Sequence, residues 1–138
     1  MRVFDSGATR DTDTGKLDYA GFLSPIVLQR YAEYMNQHRV QANGELRGSD
    51  NWKRGIPRET YISSGFRHFM DWWLDHEGWE SREGVEDAIC GLMFNCMGYL
   101  HETLLEKMNA GENMFELPLF LTSRGEAGKE NPPAETPV

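Results

Sequence analysis

Cysteine is nearly absent: Cys90 and Cys96 are the two in 138 residues. Six positions apart in one apolar helical run, they point to different sides of that helix. A disulfide is therefore not expected, and with no Cys-x-x-Cys pair the chain reads as a protein of a reducing, cytoplasmic compartment. Basic residues are also in deficit, 14 Lys and Arg against 22 Asp and Glu, for a formal net charge of −8. That balance excludes a general nucleic-acid backbone binder, which needs a basic face to release counterions. No apolar run of membrane-spanning length and no signal-type segment occurs, so no membrane partner is expected. Neither a Gly-x-x-x-x-Gly-Lys-Ser/Thr loop nor a strand followed by Gly-x-Gly-x-x-Gly is present, which excludes P-loop and Rossmann chemistry. No serine or cysteine sits in a nucleophile elbow.

What is present is helical periodicity. The length suits one domain, and the pattern predicts an all-α fold, a small bundle of three main helices. Residues 1–23, rich in Gly, Asp and Thr, read as a long N-terminal arm. Ser24 and Pro25 form an N-cap and first-turn pair for a helix ending near Arg39. A long loop from Val40 to Pro57 follows, of a length that is often functional. A second helix is expected from about Arg58 to His76, with Ile62, Phe66, Phe69, Met70 and Trp73 as its buried side. The third, roughly Arg82 to Asn109, is apolar on nearly every side and is expected at the centre. Met114 to Leu121 is expected to dock on the bundle or on a second subunit. The domain thus spans 1–121, and the Glu-, Gly- and Pro-rich residues 122–138 read as a disordered tail.

Two stripes on these helices carry the candidate chemistry. At about 100° per residue, Tyr61, Ser64, Gly65, His68, Asp71, Trp72 and Asp75 share one side of the second helix. On the third helix Glu83, Asp87, Gly91, Asn95, Gly98 and Glu102 form a strip in which acids alternate with glycines. A glycine inside a helix costs about 1 kcal/mol relative to Ala, so either another helix or a flat ligand must come close to Gly91 and Gly98. Asp87 precedes an apolar run and needs a partner, because a buried unpaired carboxylate is strongly unfavourable. An antiparallel hairpin through Glu77 to Ser81 would bring His68 and Asp71 to face Asp87 and Asn95. Carboxylates projecting inward from neighbouring helices make an oxygen-rich cage for Mg²⁺ or Mn²⁺, and Asp71, Glu83 and Asp87 are the predicted metal ligands. Of the adjacent Trp72 and Trp73, one is expected to face the pocket and Trp73 to be core.

Four stretches together resemble the phage and prophage family of dATP/dGTP diphosphohydrolase N-terminal domains: FDSGATRDTDTGKLDYAGFLSP (Phe4 to Pro25), DNWKRGIP (Asp50 to Pro57), YISSGFRHFMDWW (Tyr61 to Trp73) and EDAICGLMFNCMGYLHE (Glu86 to Glu102). The resemblance implies a metal-dependent pyrophosphohydrolase that converts a purine (d)NTP to (d)NMP and pyrophosphate with Mg²⁺ or Mn²⁺. It places Lys16, Asn51, Trp52, Arg67, His68 and Asp87 at the site, with His68 and Asp87 catalytic. Lys16 and Arg67 would meet phosphate, Trp52 or Trp72 would stack on a base, and Asn95 would join the binding residues. The sequence departs from the MazG kind of helical pyrophosphatase, whose Glu-x-x-Glu is followed by a Glu-x-x-Asp. Glu83 and Glu86 have the first spacing, but Leu105 stands three places after Glu102. The alternative expectation is a non-catalytic protein that sequesters a signalling or modified nucleotide. A homo-oligomer in the host bacterial cytoplasm completes the expectation.

Overall fold

The structure is a computed structural model describing residues 1–112; Met114 to Leu121 and the 122–138 tail, for which docking and disorder are expected, lie outside the described residues. The described residues fall into two units, Met1–Phe22 and 23–112.

The first unit contains more order than an extended arm. Strands β1 (Arg2–Val3) and β2 (Thr9–Arg10) pair antiparallel, Arg2 opposite Arg10. The turn between them is closed by a 2.8 Å bond from Gly7 N–H to the Phe4 carbonyl. Arg2 ties the hairpin to Asp13 at 2.9 Å. Lys16 follows in a turn whose amide donates to the Asp13 carbonyl, and the one-turn helix α1 spans Tyr19–Phe22.

The second unit is helical as expected. Helix α2 (Pro25–Gln37) starts where the cap signal places it, with Ser24 accepting from Val27 N–H. The loop after it folds back through an isolated bridge between Val40 and Leu46 and a 3₁₀ turn, Asn51–Arg54. Helix α3 (Arg58–His76) ends in a Schellman motif, Gly78 at φ 93° bonding to Asp75 and Trp79 N–H bonding to the Leu74 carbonyl. Helix α4 (Val85–Asn109) returns antiparallel. Near one end of the hairpin Arg58 reaches Thr103 and Glu106, at 3.2 and 3.0 Å.

Two expectations are corrected. Helix α4 begins at Val85, not Arg82, because Gly84 sits at φ 87°, ψ 163°, a conformation that is essentially glycine-only and stops a helix from extending backwards. Arg82 and Glu83 therefore belong to the connection. More consequentially, the sides of α3 are reversed. Ile62, Phe66 and Trp73 are 50, 66 and 51% exposed, and Phe69 and Met70 also face outward, whereas Tyr61, Gly65 and Asp71 are buried. Small residues decide this. Gly65 faces α4, where a Cβ would stand in ordinary contact, 3.6 Å from the Asn95 Cβ. Ala88, Gly91 and Gly98 form the matching inner face of α4. Bulk on one side and small or polar groups on the other let the helices approach along the polar side.

Candidate metal centre and adjoining cleft

Both glycines on the α4 strip are filled by rings from α3. The His68 imidazole lies over Gly91, where an added Cβ would be 2.5 Å from the ring, and the Tyr61 ring occupies the same place over Gly98. The close approach foreseen at Gly91 and Gly98 is thus made by aromatic side chains of the partner helix. It fixes His68 with its Nδ1 2.6 Å from Glu83 Oε2, and both side chains are under 20% exposed.

Asp71, one helical turn beyond His68, is buried. Arg82 from the connection donates to it through Nε at 2.9 and 3.1 Å and through Nη2. The guanidinium beside it holds the Asp71 carboxyl below the usual carboxylate range, against burial, which pushes the other way. Arg82 itself is 61% exposed, so it closes the solvent side of the carboxylate. Ser81 fastens the connection, donating to Asp75 at 2.6 Å and accepting from Gly84 N–H at 3.0 Å. His68, Asp71 and Glu83 each present a donor atom, all within 4.8 Å of one another. An imidazole nitrogen with two carboxylates is a donor set suited to Mn²⁺ or Mg²⁺ and leaves positions open for ligand oxygens.

Of the predicted ligands Asp71, Glu83 and Asp87, the first two converge and the third does not join them. Asp87 is taken by Arg30 of α2 at 2.6 Å, and the same guanidinium holds Glu86 at 2.7 Å. Asp87 is not buried as expected but half-buried, its side chain 35% exposed, and its partner is an arginine. Arg30 was not foreseen from the sequence: it stands 57 positions from Asp87, and no local spacing signals such a pair. At the other end of the strip Glu102 turns Oε2 inward without a hydrogen-bond partner among the described residues. Burial raises the nearby Tyr61 phenol, with Glu102 adding to the effect.

A cleft of about 700 Å³ opens between α2, the long loop and the α3–α4 hairpin. His68 lines it, as do the expected Asn51, Trp52 and Asn95. Trp52 meets Phe94 edge-on at 6.2 Å, and Asn95 is buried with its amide donating to the Gly91 carbonyl at 2.7 Å. Tyr34, His38, Arg39 and Arg47 also line the cleft and were missed. Tyr34 is buried, which pushes its hydroxyl up to about 12, with the charges of Glu83 and Asp87 adding to the shift. It stays a protonated donor at neutral pH. Arg67 and Trp72 are exposed and do not line the cleft; the Arg67 carbonyl accepts from Arg82, and Trp72 packs edge-on against Phe69. Lys16 belongs to the N-terminal unit.

The fold and this cluster define a mostly helical protein with a three-donor candidate cation site beside a polar and aromatic cleft. No family model, curated protein or solved structure matches the chain. Among the described residues no helix is long and apolar enough to cross a membrane.

Proposed function

We propose that the chain is a metal-dependent purine (d)NTP pyrophosphohydrolase, in which water adds to the α-phosphorus, the α–β phosphoanhydride bond breaks, and (d)NMP and pyrophosphate leave. The observation that carries this reading is that His68 belongs at once to the His68–Asp71–Glu83 cluster and to the wall of the aromatic and amide cleft. One member of the candidate metal cluster thus stands in the wall of a cleft of about 700 Å³. His68, Asp71 and Glu83 would hold Mg²⁺ or Mn²⁺, which would neutralise phosphate charge and ease attack by water.

The remaining roles belong to the chain's own groups. Trp52 and Phe94 offer faces and edges for a base, while Asn51 and Asn95 offer amides that can both donate and accept. Arg39 and Arg47 supply the cations for phosphate that the resemblance sought at Lys16 and Arg67. Arg82 is the counter-ion of Asp71 until a divalent cation competes for it, and its exposure lets it turn into water. Incubation with each (d)NTP and Mn²⁺, assayed for pyrophosphate, tests the reading. Release from dATP or dGTP that is abolished by Glu83→Gln is expected; no release from any purine nucleotide would contradict it.

One observation favours a second reading, nucleotide sequestration without hydrolysis. Asp71 and Asp87 are each already engaged by an arginine, leaving fewer free acids than a hydrolytic centre needs. Tight calorimetric binding of a nucleotide in the absence of metal, with no product, would select it.

A further inference from the structure

The reversal of α3 leaves a surface that the site does not use. Ile62, Phe66, Phe69 and Trp73 are spaced 4, 3 and 4 residues apart, the a/d interval of helices that pack side by side. All four are exposed. Between the first three and the outer face of α4, carrying Cys96 and the 56% exposed Leu100, runs a groove of about 580 Å³. Among the described residues no charged side chain lines it. Among the described residues the buried hydrophobic side chains, by contrast, are just Tyr34, Tyr61, Ala88 and Cys90. Most of the large apolar surface of this hairpin is outside rather than inside.

We infer that a second copy of this chain covers the groove, the two α3–α4 hairpins closing into a four-helix bundle about a two-fold axis. The area supports this occupant. With aromatic side chains offering 150–250 Å² each, the exposed parts of the seam and of α4 come to roughly 600 Å², against about 800 Å² per partner in a standard interface. The polar rim supplies the remainder. A two-fold contact places the same patch on itself, so it needs an interval and a shape that are self-complementary, and a seam on each of two antiparallel helices provides both. Charge agrees: at net −8, two copies repel over most of their surface, and a groove without charge is where they can meet without opposing carboxylates. This inference does not rest on the proposed catalytic reading.

Light scattering on the full chain at micromolar concentration, combined with thiol labelling, tests it. The expected mass is twice the 15.8 kDa of one chain, or a higher even multiple, with Cys96 protected from a maleimide probe. Phe66→Glu is expected to weaken self-association at least about 100-fold, a factor within what interface hot spots carry, and to expose Cys96. If Phe66→Glu does not fold, Leu100→Gln on α4 reads the same interface through its dissociation constant. A monomer overturns the inference, including the case in which Cys96 is protected because residues 113–138 or another protein cover the groove. So does a dimer that Phe66→Glu and Leu100→Gln leave at wild-type strength, which would place the interface elsewhere.

Discussion

Asp71 and Arg82 make an unequal pair, and the inequality is testable. Removing the carboxylate with Asp71→Asn leaves an arginine that turns into solvent, whereas Arg82→Ala leaves a buried anion without a cation. Arg82→Ala is therefore expected to lower the thermal midpoint more than Asp71→Asn, and added Mn²⁺ to restore it. Equal losses, or no rescue, would contradict the pairing. The pH dependence follows from the depressed Asp71 carboxyl: its contribution is complete above the ordinary value of 3.8 and is lost as pH falls through its lower folded value. In Arg82→Ala the acid transition, followed by circular dichroism, should move to higher pH. Gly91 is the other decisive residue. Gly91→Ala would gain about 1 kcal/mol of helix propensity, yet the methyl collides with the His68 ring. A net loss of about 1–3 kcal/mol from overpacking is expected, together with weaker Mn²⁺ binding; a stabilised variant with intact binding would contradict the ring-on-glycine contact. The close approach at Gly91 and Gly98 was legible because glycines inside an apolar helix demand an explanation. Arg30, Arg39 and Arg47 were not, since their roles depend on how α2 and the long loop fold back.

Among the elements, the connection between α3 and α4 does more than reverse the chain. The Schellman end of α3, the Ser81 bridge and the glycine-only conformation of Gly84 together aim Arg82 and Glu83 back at α3. Gly84→Ala is expected to cost about 1–3 kcal/mol in chemical denaturation and to weaken Mn²⁺ binding by about tenfold, as loss of supporting contacts does at metal sites. Unchanged stability and affinity would show that the turn is not what positions Glu83. The helices themselves were legible from periodicity, caps and terminal glycines. The start of α4 was misplaced because helical arithmetic carried through Glu83 and Arg82 finds a continuous strip and cannot register a backbone angle. The burial of α3 was misread for a related reason. Counting apolar residues finds the more hydrophobic side, but which side packs within the chain is set by how near the backbones can come, and that is decided by Gly65, Ala88, Gly91 and Gly98.

For the whole molecule, the described residues have a small inner core and a large apolar exterior, so the inferred pairing of two copies would make association part of stability. If the groove is covered by a second copy, the thermal midpoint should rise with protein concentration; a midpoint independent of concentration over a hundredfold range would argue for a self-sufficient fold. Within the second unit Arg39 and Arg47 line the cleft, Arg30 holds Asp87 and Glu86, and Arg82 holds Asp71. The most direct measurement of the central claim is calorimetric titration of the purified full chain with Mn²⁺, beside Glu83→Gln and His68→Ala. One site per chain that weakens at least tenfold in both variants, while Glu59→Gln on the exposed face of α3 binds as wild type does, is the predicted result. No saturable binding, or equal affinity in all four proteins, would contradict it.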